Sequence, residues 1–155
     1  MRPAALGLLA ALVVLAAGPA VGRQKQDATP GGAAVAELEK LRGVWVFERA
    51  VIDGVPKDDG ILKDSLAFDG SRAVWNNALG RRTGTVRVTP ATTPKGIALD
   101  FKGPKGEPAG VVGVFELAGD TLRIATAGPD RPPPKGFESK KGSDETVWVL
   151  KRKVD

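Results

Sequence analysis

From Gly43 onward, apolar and polar residues alternate with a period of two, cut by turn signals about every ten residues. Ile97, Leu99 and Phe101 alternate with Ala98, Asp100 and Lys102, and Val86 and Val88 alternate with Thr85 and Arg87. The pattern predicts strands over Val44–Ile52, Leu62–Phe68, Ser71–Asn76, Thr83–Thr89, Ile97–Lys102, Val111–Leu117, Thr121–Thr126 and Thr146–Arg152. Asp53-Gly54 ends the first strand, and Asp69-Gly70 and Gly119-Asp120 read as tight hairpin turns. No helical pattern separates consecutive strands, so a parallel sheet with crossover helices cannot be built. An antiparallel meander remains, as a barrel or a sandwich. We expect an all-β, eight-stranded antiparallel meander barrel, because closure removes exposed edges. Ile97, Leu99, Phe101, Leu122 and Ile124 should face inward, with Asp100, Lys102 and Arg123 outward.

Before Gly43 the pattern changes. Val35, Leu38 and Leu41 are spaced for one face of a short helix over Val35–Arg42, which Gly43 stops. The barrel domain is therefore placed at 35–155. Residues 23–34 are small and polar and read as a flexible leader. Residues 1–22 read as a secretory signal peptide. Arg2 precedes the apolar run Ala4–Ala17, Pro19 breaks it, and small residues in Ala20-Val21-Gly22 suit cleavage after Gly22, or after Ala20. The run falls short of the roughly 20 residues of a spanning helix, so stable membrane insertion after cleavage is not expected. The expected location is periplasmic or extracellular.

Composition narrows the chemistry. Among 155 residues there is no Cys, His or Tyr. Disulfides, thiolate metal sites, Cys nucleophiles and His bases are thereby excluded. The formal charge of +5 is spread over pairs such as Arg81-Arg82 and Lys140-Lys141. No aromatic residues interleave with them, so nucleic acid is not an expected partner. Asp58-Asp59-Gly60 with Asp64 clusters carboxylates but lacks calcium-loop spacing, and reads as a solvated loop. Ser65, Ser71, Ser139 and Ser143 occupy no nucleophile motif. Nothing brings Glu48, Glu107 and Glu116 together as a glycosidase pair would require. Gly103–Gly110 reads as a strand connection, because no helix follows it as a phosphate loop requires. The segment Asp130–Gly142 holds Pro132-Pro133-Pro134 and reads as a stiff surface crossing, or else a lid or docking segment. No enzyme activity, metal or cofactor is expected.

Gly43-Val44-Trp45 opens the first strand and Arg152 ends the last. In a closed meander these strands are neighbours, so Arg152 should pack over the Trp45 indole, with Arg131 the second choice. This opening is similar to the closed end of lipocalin-like barrels. A second likeness rests on Gly113-Val114-Phe115-Glu116-Leu117-Ala118-Gly119-Asp120-Thr121-Leu122-Arg123, then Arg131-Pro132, Phe137-Glu138-Ser139 and Val149-Leu150-Lys151-Arg152. With Leu41-x-Gly43-x-Trp45 and Asp53-Gly54, these resemble a planctomycete-associated family of exported proteins of unknown function. Phe115 stands where that family usually has Tyr, and Ala125-Thr126 where it often has Cys. The resemblance implies export, a hairpin at Gly119-Asp120, core places for Trp45 and Phe115, and packing or ion pairing for Arg131 and Arg152, and it carries over no catalytic residue. Gly43, Trp45, Gly119, Asp120 and Arg152 are assigned structural roles.

Two binding functions follow. One is an interaction module of the cell envelope, a filled barrel that meets an unknown envelope component on its outside. The other is a carrier for a small apolar or amphipathic ligand, held by Trp75, Phe101, Phe115, Arg131 or Trp148.

Overall fold

The computed structural model describes residues 31–57, 60–128 and 130–154. The expected signal peptide, most of the expected leader, and Asp58 and Asp59 lie outside the described residues. Among the described residues one α-helix precedes nine strands. Helix α1 (Gly32–Leu41) begins three residues before the expected Val35, inside the predicted leader. Ala33 and Ala34 favour helix, and the Gly31 carbonyl accepts from the N–H groups of Ala34 and Val35.

The strands are β1 (Gly43–Ile52), β2 (Val55–Lys57), β3 (Ser65–Asp69), β4 (Arg72–Asn77), β5 (Gly80–Thr89), β6 (Lys95–Lys102), β7 (Pro108–Ala118), β8 (Thr121–Ala127) and β9 (Thr146–Arg152). Neighbours pair antiparallel from β3 through β9, and β1 pairs with both β3 and β9. That ring is the expected eight-stranded closed barrel.

Two local features depart from the expected pattern. Asp53-Gly54 does more than end β1. Both residues have positive φ, 49° and 75°, which suits a two-residue hairpin turn and returns the chain as β2. The second predicted strand is shorter than expected, because Ile61–Lys63 forms a 3₁₀ turn before β3. β1 pairs with β3 only from Gly43 to Val46, and the ladder to β9 bulges between Phe47 and Arg49. Past that bulge β1 leaves β3, and the 3₁₀ turn bridges the gap.

The predicted faces hold. Ile97, Leu99, Phe101, Leu122 and Ile124 are buried in one core with Trp45, Phe115 and Leu150. Asp100 and Lys102 are exposed, and Arg123 reaches Glu116 on the outer wall at 3.0 Å. One slip of register would exchange these sets.

Candidate functional site

One end of the barrel is shut by the residues expected there. Trp45 is fully buried, and the Arg152 guanidinium lies 4.2 Å above its ring. Trp45 and Arg152 are cross-strand partners. The last carbonyls of α1 have no partner within the helix. Trp45 Nε1 donates to the Leu41 carbonyl at 2.7 Å, and Arg152 donates to the carbonyls of Lys40 and Arg42. A cation at a helix C-terminus also complements the helix dipole. Gly43 makes room, with φ of 120° and Arg152 Nη1 only 3.2 Å from where a Cβ would sit. Gly119, with φ of 59°, turns the β7–β8 hairpin, and Asp120 next to it meets Arg152 Nε at 3.3 Å. Leu38 and Leu41 are buried beneath this cap. The five residues assigned structural roles thus form one device that fastens α1 over the barrel.

The opposite end gathers aromatic rings. Trp75 lies 5.8 Å from Phe101 and 5.6 Å from Trp148, and Phe47 stacks near Trp75 and meets Trp148 edge-on. Three of the five proposed ligand residues are therefore together. Phe115 is buried in the core but forms no ring pair with this group. Arg131 lies on the outer wall, paired with Asp144 at 2.7 Å. Sequence reasoning missed two members. Phe47 shares the inward parity of Trp45, a readable signal. Asp64 had been grouped with loop carboxylates, yet it is buried and accepts from Trp75 Nε1 at 3.2 Å. Burial pushes the Asp64 carboxyl above the usual aspartate range, a shift the Trp75 hydrogen bond only partly offsets. Trp148 Nε1 is buried without a partner, the one such side-chain atom among the described residues.

The outer wall supplies a third region. Cross-strand pairing aligns Thr89, Gly96, Val114, Ala125, Val147, Val51 and Pro56 in one uncharged row around the barrel. The Pro-rich connection crosses this row as a strap and does not cover a barrel end. Phe137 packs on Val114, Ala125 and Val147, a small second core outside the barrel, and Arg123 stacks on Phe137 at 4.6 Å. The strap leaves a groove on each side. One, about 610 Å³, lies between Pro133–Lys135 and the outer face of β5–β7, with Val112 half exposed on its floor. The other, about 550 Å³, lies beside Phe137–Lys140 over Val51, Val147 and Val149. Volumes of this size accept a ligand or a few side chains.

No protein-family model, curated protein or solved structure matches the chain.

Proposed function

We propose that this barrel is an exported interaction module of the cell envelope that binds with its outer wall. The uncharged row carries the reading: one strap covers only its middle, and a groove flanks the strap on either side. The grooves leave Val112 half exposed and Val51 and Val149 partly exposed, and apolar surface bounded by polar residues marks binding sites on small proteins. The inward side chains meanwhile pack one another from Leu41 to Trp148. Export is inferred from Arg2, the Ala4–Ala17 run and the small residues before Arg23. The likeness to the planctomycete-associated exported family supports the same reading. Binding is favoured over catalysis because the chain has no His or Cys.

A second reading, a carrier for an apolar ligand, draws on the unpartnered Trp148 N–H beside Trp75 and Phe101. One titration separates the two. An environment-sensitive apolar dye is added to the protein and to a Val112→Lys variant while tryptophan emission is followed. Outer-wall binding predicts dye binding that Val112→Lys weakens several-fold. Quenching of the tryptophans with no response to Val112→Lys would favour the carrier.

A further inference from the structure

The groove beside Phe137–Lys140 sets two arginines, Arg49 and Arg123, across one aliphatic floor, whereas Arg87 and Lys135 are the cations lining its counterpart. Arg49 and Arg123 are both cross-strand partners of Val149. They therefore stand on either side of one valine, roughly 10 Å apart at the backbone, two strand spacings. Lys140 adds a third cation to the rim, against a single carboxylate, Glu138. Lys140 pairs with Glu138 at 3.4 Å and Arg123 with Glu116 at 3.0 Å. Arg49 is exposed and has no ion-pair partner among the described residues. Between the cations the floor is aliphatic, formed by Val51, Val147 and Val149.

We propose that this groove binds an acidic peptide segment of a partner protein, in which apolar and acidic residues are interspersed. The inference rests on the outer-wall reading and specifies its ligand. An apolar side chain would enter beside Phe137, and neighbouring carboxylates would meet Arg49 and Arg123. Guanidinium–carboxylate pairs are directional and charge-assisted, and they fix the register of the apolar side chain between them. A recessed floor behind a strap suits a chain that carries its own side chains, and a flat bilayer surface does not enter it. Nucleic acid would find only Phe137 to stack upon.

The test uses fluorescein-labelled octapeptides alternating Asp with Leu, Lys with Leu, and Asp with Ser, read by anisotropy. The protein is compared with Arg49→Glu and with Arg72→Glu, an exposed arginine on β4 outside the groove. Arg49→Gln serves if Arg49→Glu melts early. The Asp/Leu peptide should bind saturably, at least tenfold more weakly to Arg49→Glu and unchanged to Arg72→Glu. Equal loss in both variants, or equal binding of the Lys/Leu or Asp/Ser peptide, would overturn the proposal. So would displacement of the peptide by phosphatidylglycerol vesicles or inorganic phosphate with the same Arg49 dependence. Peptide binding lost in Val112→Lys but not in Arg49→Glu would move the site to the other groove and leave the outer-wall reading standing. Failure of that reading shows instead as binding that none of these surface variants changes.

Discussion

Trp45 and Trp148 both point into the barrel from neighbouring strands, yet their surroundings differ. Trp45 has its N–H on the Leu41 carbonyl and a guanidinium on its face. Trp148 has two aromatic neighbours, Phe47 and Trp75, and an N–H with no acceptor. Around Trp45, each polar group completes another element, the C-terminus of α1 above all. Around Trp148, the polar groups are left costly: an orphan donor, and at Asp64 a buried carboxyl. The fully satisfied end is built for stability, and the costs at the other end are the feature on which the carrier reading draws.

The comparison breaks most easily at the tryptophans. Trp45→Phe should cost about 2–4 kcal/mol, since it leaves the buried Leu41 carbonyl unpaired, opens space and loosens α1. Trp148→Phe should cost less than about 1.5 kcal/mol, because the lost packing is offset by removal of an unsatisfied donor. Urea unfolding of the two variants checks this; equal losses would erase the distinction between the ends.

Arg152 gives the next effect. Arg152→Ala should cost about 1–3 kcal/mol, combining the stacking on Trp45 with the hydrogen bonds to the helix carbonyls. Arg152→Lys should recover only part, because an ammonium cannot reproduce the planar fork. The unfolding midpoints rank the three proteins, and a Lys variant matching the parent would deny the fork any role.

The smallest effect concerns Asp64. Its folded-state pKa is raised, so its contribution to stability is full below the ordinary aspartate range and lost as pH rises through the raised value. Asp64→Asn keeps an acceptor for Trp75 Nε1 and cannot ionise. Its melting temperature should therefore gain on the parent as pH rises from about 3 to 7, the aspartate range and above. A constant difference across that range would mean Asp64 pays no burial penalty. Glu37 behaves oppositely. Hydrogen bonds from Lys40 and Lys95 hold its carboxyl below the usual glutamate range, so the stability it contributes is lost as acid protonates it.

Much of this was legible in the chain. Alternation fixed which side of β6 and β8 is buried, since a two-residue period admits only two registers and one of them exposes Phe101 and Ile124 to water. The pairing of Trp45 with Arg152 followed from closure, because the first and last strands of a closed meander must meet. The aromatic end was legible in part. Trp75, Phe101 and Trp148 are inward by parity, but which rings share a level depends on strand stagger, and that separated Phe115 from them. Asp64 was hidden because a carboxylate beside a Gly-rich turn carries the same sequence signature whether buried or solvated.

The chain by itself determined the strand periods, the hairpin turns at Asp69-Gly70 and Gly119-Asp120, and the absence of His, Cys and Tyr chemistry. These are local or compositional, and sterics and side-chain inventory decide them residue by residue. Only the tertiary structure decided that the Pro-rich segment straps the outer wall, that seven uncharged residues from six strands and a hairpin return line up beneath and beside it, and that Arg49 and Arg123 flank Val149. Those juxtapositions join residues far apart in sequence. They arise from inter-strand register, which is set by the packing of the whole barrel and by a bulge between Phe47 and Arg49 that alternation alone does not announce.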